Sequence, residues 1–419
     1  MRHGIRKILA GVALVGLTLT SACSPGGGQA DEPLDVYLNM TAGSAQYTEM
    51  KNIVAKYEQR TGTRVKLAID SSNFEDNMKV RMAAGEMPDV FSTHGWSVLR
   101  YKPFLEPLTH QAWAKNLDPL IDETMRDANG DVYSLPIEYS VAGMSVNFDV
   151  LRKAGVDPDG IRTWDDFAAA CAKIKATGVT PIDSAGKDFG PSGDLANVIA
   201  ANAFTEREFN AMKHGTFDSS AYATNVLGPV ASWAQAGYFN KDYVSASIDD
   251  QARKLALGQA AFVMAANTST LSTALTFNEK ADVGFIPFPS TRNGQYLVGG
   301  EGVNAFAAWK GSPRKKRALQ FLAFLAEPAN AKAMSRSIGS SSGLTNVDVD
   351  LGRIQSSYDK WVAPRKMPIK PYLDRAYLPN GMFASLITTT DSVINRQSTP
   401  ESAASEVGRQ YKTLFGQQK

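Results

Sequence analysis

The chain has 419 residues, of which 43% are hydrophobic and 21% are charged, and its formal net charge is +2. This is an ordinary globular composition with enough chain for two or three domains. The near balance of charge excludes a nucleic-acid-binding surface and a polybasic membrane-binding surface.

The N-terminus has the three-part layout of an export signal, with a basic start, an apolar run over residues 8–19 and small residues before Cys23. The run is shorter than the roughly 20 apolar residues that span a bilayer. Cys23 directly after the small residues resembles the lipobox of bacterial lipoproteins, in which the chain is cut before the cysteine and the new N-terminus is lipidated. Residues 1–22 are therefore predicted to be a lipoprotein signal peptide, and the alternative is a plain signal with an incidental cysteine.

Residues 23–33 are predicted to be the lipidated cysteine and a flexible tether, because the stretch is rich in Gly and Pro and has no periodicity. Only one other cysteine, Cys171, is present. If Cys23 carries lipid, no disulfide framework exists. Cys171 shares one face of a predicted helix with Trp164 and Phe167, which indicates a buried structural thiol rather than a reactive one.

From residue 34 the pattern alternates between strands and helices. Strands are predicted at 35–39, 65–69 and 89–92, and the two amphipathic helices between them end at Gly62 and Gly85. This βαβαβ order is typical of an α/β domain with a mainly parallel sheet.

Three further helices have clear start signals. Thr163 and Asp166 form the N-cap pattern of the helix that holds Cys171, and Ser312-Pro313 and Thr399-Pro400 open two later helices. Three tryptophans are assigned to hydrophobic cores, namely Trp164, Trp233 and Trp309.

Short motifs in a fixed order extend from residue 34 to the C-terminus. They are Thr61-Gly62, residues 84–90, Leu135-Pro136, Asn147, and residues 154–157, 163–167, 258–261, 299–302 and 321–328. In this order and behind a lipobox, they resemble the solute-binding lipoproteins of ATP-binding-cassette sugar importers, the maltose-binding-protein-like family 1 of extracellular solute-binding proteins.

The resemblance implies an α/β, two-lobed, type II periplasmic-binding-protein-like fold with a ligand cleft between lobes joined by several hinge crossovers. Lobe 1 is expected to comprise residues 34–140 and 299–327, and lobe 2 residues 141–298 and 328–419. The crossovers are placed near residues 138–142, 298–302 and 327–330. Their glycines suit backbone that changes conformation as lobes close, or are plain turn glycines.

Most candidate ligand residues follow predicted strands, including one at 260–264, or belong to the crossovers, since ligands of open α/β sheets sit beyond the carboxyl ends of strands. Phe189 and Asp194 stand in a Gly-Pro turn of the second lobe, and the resemblance aligns Phe383 with an aromatic platform of the maltose-binding branch. Sugars need aromatic faces, amides, hydroxyls and a few carboxylates. The candidates are Asn39, Thr41, Ser44, Thr93, His94, Trp96, Glu138, Tyr139, Ser140, Phe189, Asp194, Asn267, Thr268, Gly300, Glu301 and Phe383.

Several candidates have a structural alternative. Trp96 and Phe383 could belong to cores, His94 could be a structural histidine, and Phe189 could stand in an ordinary surface turn. Residues 267–269 occupy the segment where many relatives of the resembling family carry a tryptophan, so one stacking platform is missing there or supplied from elsewhere.

The resemblance implies a monomeric receptor that captures a carbohydrate by hinge closure and passes it to membrane permease subunits, without cofactor, metal or nucleic acid. Alternatives are a receptor for a polyamine, iron or a peptide, a structural or adhesive lipoprotein, and a glycoside hydrolase, whose two carboxylates leave no fixed motif. The G-x-S-x-G match at 339–343 does not indicate a hydrolase, because no histidine follows it in the chain.

Overall fold

A computed structural model describes residues 32–70, 73–94, 101–127, 129–139, 141–290, 294–299 and 304–417. Its strands are β1 Leu34–Leu38, β2 Val65–Ile69, β3 Val90–His94, β4 Leu135–Glu138, β5 Val141–Ala142, β6 Met144–Asn147, β7 Thr180–Ile182, β8 Ala260–Val263, β9 Val283–Ile286, β10 Leu297–Gly299, β11 Asn304–Ala308 and β12 Ile369–Lys370.

The α-helices are interspersed with the strands along the whole chain. They are α1 Ala45–Thr61, α2 Phe74–Ala84, α3 Pro119–Met125, α4 Phe148–Lys153, α5 Trp164–Ala176, α6 Pro191–Ala200, α7 Glu206–Lys213, α8 Ser219–Tyr222, α9 Gly228–Gln235, α10 Ile248–Ala256, α11 Ser269–Phe277, α12 Lys315–Leu325, α13 Pro328–Ser337, α14 Gln355–Trp361, α15 Leu373–Ala376, α16 Met382–Ile394 and α17 Pro400–Gln417.

The first sheet has five strands in the order β2-β1-β3-β11-β4. Strand β1 is parallel to β2 and β3, and β11 is antiparallel to β3 and β4. The predicted βαβαβ run is confirmed. Helix α1 ends at Gly62 and α2 at Gly85, and both glycines adopt the left-handed conformation that terminates helices. The buried face of α1 consists of the predicted residues Met50, Ile53, Val54 and Tyr57.

The second sheet has four strands in the order β7-β8-β6-β9 and its own hydrophobic core. The predicted capping box of α5 is present, with Thr163 and Asp166 each accepting from the other's backbone N–H. Cys171 is fully buried, and burial raises the pKa of its thiol well above the usual value. The predicted structural role of Cys171 is therefore confirmed.

The structure places two of the three tryptophans assigned to hydrophobic cores in the second core. Trp164 and Trp233 pack against each other with ring centroids 5.4 Å apart, and both are buried in the second core as predicted. Trp309 is only partly buried and packs on a smaller cluster beside the five-stranded sheet.

The helix predicted from Thr399 is confirmed as α17, which begins at Pro400. The helix predicted from Ser312 is present as α12, but it begins at Lys315 and not at Pro313, because Arg314 is its N-cap.

A small sheet, β12-β10-β5, joins the two larger ones. The chain leaves the five-stranded sheet after Glu138 and enters the small sheet at Val141, and it returns from Gly299 to Asn304. Strands β5 and β10 pair antiparallel, with Gly299 opposite Val141. Two chain crossings therefore run side by side.

Helix α13 packs against α1 and β4, and its residues Ala331 and Met334 belong to the core of the five-stranded sheet. The chain is therefore still attached to that sheet beyond residue 327, where the predicted first lobe ends. Among the described residues, no helix is both long enough and apolar enough to cross a membrane.

Candidate ligand-binding site

A cavity of about 220 Å³, here called the polar cavity, lies between the last residue of β4, the first residue of β11 and the starts of α6 and α11. Residues far apart in the chain form its wall. They are Glu138, Asp194, Asn267, Thr268, Ser269, Asn304, Ile338, Ser340, Tyr372 and Arg375. Carboxylates, amides, hydroxyls, a guanidinium group and one phenol ring therefore face a common space.

Glu138 is the last residue of β4 and is 5% exposed. Asn304 Nδ2 donates to its Oε1 at 2.6 Å across the β4–β11 pair. Burial raises the pKa of the Glu138 carboxyl to about 7, although its hydrogen bonds to Ser340 and Asn304 act in the opposite direction. The carboxyl thus holds a fixed orientation and titrates near neutral pH.

Asp194 lies in the first turn of α6, where its backbone N–H donates to the Gly190 carbonyl at 2.9 Å. Burial raises the pKa of its carboxyl to about 7, and the positive charge of Arg375 partly opposes that shift. The guanidinium carbon of Arg375 lies 4.3 Å from the Tyr372 ring centroid, and the Tyr372 hydroxyl donates to the Ala266 carbonyl at 3.0 Å. Arg375 is therefore supported by an anchored ring.

Asn267 ends the segment that follows β8. Its Oδ1 accepts from Thr270 N at 3.1 Å and from Ser269 Oγ at 2.8 Å, which caps the start of α11 and orients the Asn267 amide. Thr268 is 6% exposed, and its Oγ1 lies 3.3 Å from Ser340 Oγ. This turn thus presents rigid polar groups to the polar cavity.

A second cavity of about 140 Å³, here called the aromatic cavity, adjoins the first and shares Asp194, Asn267 and Ser269 with it. Phe189 at its mouth is 73% exposed, and Ile248 is 41% exposed. A large exposed apolar side chain beside a polar cavity suits the C–H face of a sugar ring.

The ring of Phe383 meets Phe189 edge to face at a centroid distance of 6.0 Å. Phe383 is half-buried, between α16 and the start of α6. A Cβ at Gly193 would stand 2.8 Å from Phe383 Cε2 and 2.6 Å from Ile387 Cγ1, so glycine is required for this close approach. Gly193 thereby sets the position of Asp194 and Phe189 relative to α16.

Of the residues predicted from the sequence, Glu138, Asp194, Asn267 and Thr268 line the polar cavity, and Phe189 lines the aromatic cavity. Phe383 contacts Phe189 from outside both linings. Trp96, Ser140, Gly300, Glu301 and the lipidation candidate Cys23 lie outside the described residues.

The remaining predicted residues lie near the ends of β1, β3 and β4 and line neither cavity. Thr41 is exposed, and the Asn39 backbone N–H donates to Ser92 Oγ. Ser44 is the N-cap of α1, where its hydroxyl accepts from Tyr47 N at 3.1 Å.

Two of those residues belong to β3. Thr93 is 1% exposed, and His94 pairs in register with Asn304, one strand away from Glu138. Tyr139 is 1% exposed, and its hydroxyl lies 3.0 Å from that of Tyr358. The ligand-binding roles of all these residues stay predictions.

Sequence reasoning missed Asn304, Ser340, Tyr372 and Arg375. Asn304 begins a strand directly after the glycine-rich crossing, a signal equal to the one that selected Glu138. Tyr372 and Arg375 stand in Tyr-Leu-Asp-Arg, a short segment without a periodic pattern. Ser340 lies in the stretch that matches G-x-S-x-G, which attracted only the hydrolase hypothesis. Within the described residues, no group of three or more His, Cys, Asp or Glu side chains could hold a metal ion.

These features define a class of α/β protein in which two sheets are linked by adjacent chain crossings beside a polar cavity. The family model described as bacterial extracellular solute-binding protein matches residues 41–332. The chain belongs to this family, and the predicted membership and extracytoplasmic location are confirmed.

Among curated relatives, the melibiose/raffinose/stachyose-binding protein MelE of Bacillus subtilis is 31% identical over 99% of this chain and 97% of its own length. The sn-glycerol-3-phosphate-binding periplasmic protein UgpB of Salmonella typhimurium is 25% identical over 78% of each chain.

Two solved structures share the whole architecture. The binding protein MsmE of Bacillus subtilis in an open conformation superposes with a TM-score of 0.83, at 29% identity over 94% of this chain and all of that one. A sugar transporter of Bacillus licheniformis in complex with stachyose has a TM-score of 0.81, at 27% identity over 91% of this chain and all of that one. The predicted two-lobed α/β fold is thereby confirmed.

Proposed function

We propose that this protein is the substrate-binding component of an ATP-binding-cassette importer, and that it captures an oligosaccharide in the polar and aromatic cavities. The observation that carries the proposal is the convergence of Glu138, Asp194 and Arg375 on one cavity, with Phe189 at the adjoining one. Carboxylates and a guanidinium group bind sugar hydroxyls in pairs, and an exposed ring packs on the apolar sugar face. The name of the relative MelE and the stachyose complex of the Bacillus licheniformis sugar transporter support this ligand class.

The charges of the polar cavity favour a neutral ligand over a phosphate ester such as the one named for UgpB. Arg375 alone would attract a phosphate group. Glu138 and Asp194 face the same space, and two carboxylates repel a dianion that has been removed from water. A neutral sugar instead donates hydroxyl protons to both carboxylates.

Ligand capture by closure of two lobes follows from the same layout. We propose that lobe 1 comprises residues 34–140 and 299–345, 18 residues beyond the limit expected from the sequence. Helix α13 packs on α1 and β4, and the backbones of Ser341, Gly343 and Thr345 hydrogen-bond with residues 116–139. Residues 141–298 and 346–419 form lobe 2. Residues of both lobes line the polar cavity, so a closed form that lets both touch the ligand is stabilised by it.

The proposal includes the cell-surface placement. Residues 1–22 act as a signal peptide, Cys23 carries the lipid, and residues 24–33 tether a monomeric binding protein near its permease. Metabolic labelling with a radioactive fatty acid tests this. Label should enter the wild-type protein and be absent from Cys23→Ser, and label in both would refute Cys23 as the anchor site.

Isothermal titration calorimetry tests the ligand class with melibiose, raffinose, stachyose and sn-glycerol 3-phosphate. We expect binding of at least one oligosaccharide at micromolar Kd, about −8 kcal/mol, and none of the phosphate ester. The sugar should be recovered intact by chromatography, because a binding protein breaks no bond. Binding of the phosphate ester alone would show that the ligand is a phosphate ester and not a sugar. A cleaved sugar would show that the protein is a hydrolase.

A further inference from the structure

The two side-by-side crossings both leave the five-stranded sheet at the polar cavity. Glu138 is the last residue of β4, Asn304 is the first residue of β11, and the two are register partners. The register shifts between Asn304 and Ala305, an irregularity of the kind that re-aims a side chain. The Asn304 side chain meets the Glu138 carboxylate at this point.

Two further polar side chains, those of Ser340 and Thr268, continue from that pair toward the four-stranded sheet. Asn304 Nδ2 donates to Glu138, Ser340 hydrogen-bonds with the same carboxyl, and Thr268 lies 3.3 Å from Ser340. Thr268 follows β8 of the four-stranded sheet, and all four side chains line the polar cavity. We call Asn304, Glu138, Ser340 and Thr268 the clasp.

We infer that Asn304 is a positioning residue for ligand capture. It holds the Glu138 carboxylate in place, and a sugar hydroxyl that binds this carboxylate therefore also fixes the two chain crossings relative to Thr268. This inference rests on the proposed function. A charge-assisted bond of 2.6 Å orients a carboxylate more firmly than a neutral one would. The sugar hydroxyl, Asn304 and Ser340 then donate to the same carboxylate, so the bound ligand joins the hydrogen-bond network that links both sheets.

The arrangement also explains how a buried carboxylate is accommodated at the end of strand β4. A glutamate at 5% exposure is costly unless its oxygens are satisfied. The side chain and backbone of Asn304 and the side chain of Ser340 donate three hydrogen bonds to it, and a carboxylate accepts about four. The capacity that is left faces the polar cavity.

A donor-exchange experiment by calorimetry, with the oligosaccharide that wild type binds best, tests the clasp. Asn304→Asp keeps the shape of the side chain and replaces its donor by an acceptor, so we expect about a tenfold loss of affinity. Glu138→Gln combined with Asn304→Asp reverses the direction of the bond. This pair should bind at least twofold more tightly than Asn304→Asp alone, because the amide introduced at position 138 donates to the carboxylate introduced at position 304 and keeps an oxygen that accepts from the sugar. It should bind more weakly than wild type, because the charge of Glu138 is gone.

Ser335→Ala is the matched control. It removes a buried hydroxyl that donates to the Ile137 carbonyl of the same strand at 2.7 Å and does not line the cavity. We expect a lower Tm and affinity within twofold of wild type. Should Asn304→Asp fail to fold, Ser340→Ala, expected to lose three- to tenfold, tests the clasp from the other side.

Wild-type affinity in Asn304→Asp, or no recovery in the exchanged pair, would overturn the inference and leave the proposed function intact. If wild type binds none of the oligosaccharides, the proposed function fails and the clasp fails with it. The wild-type titration therefore separates the two failures.

Discussion

The polar cavity and the aromatic cavity are neighbours with opposite construction. In the polar cavity, Glu138, Thr268 and Tyr372 are at most 6% exposed, and hydrogen bonds hold each of them. In the aromatic cavity, Phe189 is 73% exposed and its neighbour is another ring. Fixed polar groups discriminate between hydroxyl patterns, because a mismatched partner leaves them unpaired. An exposed ring adds contact area for any sugar face and discriminates little.

The largest effect expected from this difference is at Asp194, which lines both cavities. Asp194→Ala should weaken oligosaccharide binding about 100-fold, roughly 2–3 kcal/mol, since a bond to a charged group is lost and Arg375 is left without that charge. Calorimetry measures the change. Asp165→Ala, an exposed carboxylate of α5, serves as the control and should leave affinity unchanged. Equal losses in the two variants would refute a binding role for Asp194.

The second effect is the pH dependence of the polar cavity. The Glu138 and Asp194 carboxyls both have a pKa raised to about 7, and sugar hydroxyls donate to the ionised form. Affinity should therefore fall about tenfold for each carboxylate that the ligand requires, as pH is lowered from 8 to 6. Glu138→Gln and Asp194→Asn should each flatten the profile. Constant wild-type affinity over this range would show that neither carboxylate binds the ligand.

A smaller effect is expected in the aromatic cavity. Phe189→Ala should weaken binding of stachyose about fivefold and binding of melibiose less than twofold, because only the longer chain reaches the ring. Phe189→Tyr should preserve both affinities. The Tm of the free protein should not change, since the side chain is largely exposed. An equal loss for both sugars would place the ring beside the first sugar unit and remove the division of roles between the two cavities.

The smallest effect concerns the stability of the ligand-free protein. A carboxyl whose pKa is raised by folding binds an extra proton in the folded state, so its contribution to stability falls as pH rises from about 4.5 to 7. Glu138→Gln should consequently raise Tm at pH 8, by about 2 °C or more, and change it little at pH 4. Scanning calorimetry at the two pH values measures both. A lower Tm at pH 8 would contradict the burial of an ionised Glu138.

The sequence predicted those parts of the site whose position depends on local signals. Glu138 belongs to the first predicted crossover, Asn267 follows a strand, and Asp194 stands in a Gly-Pro turn, which are the places where binding loops of an α/β fold occur. Ser44 also follows a strand, but it is the N-cap of α1, because its hydroxyl accepts from the backbone N–H of Tyr47 in the first turn.

The rest depends on contacts between distant segments. Arg375 and Tyr372 reach the polar cavity from a four-residue helix region about 180 residues beyond Asp194, and periodicity carries no information about such a docking. Phe383 illustrates the same limit, since its helical spacing from Ile387 fits a core residue. Its contact with Phe189 depends on the packing of α16 against α6, which Gly193 permits.

The buried thiol of Cys171 is a natural reporter of local unfolding. It lies at 0% exposure in the core of the four-stranded sheet, and it is the only cysteine of the sequence besides Cys23. A version that begins after residue 23 would therefore carry one alkylation site, reachable only when that core opens. Timed labelling in urea would then reveal whether the half of the molecule around the four-stranded sheet melts before the remainder, and whether bound sugar forces the two to melt as one unit.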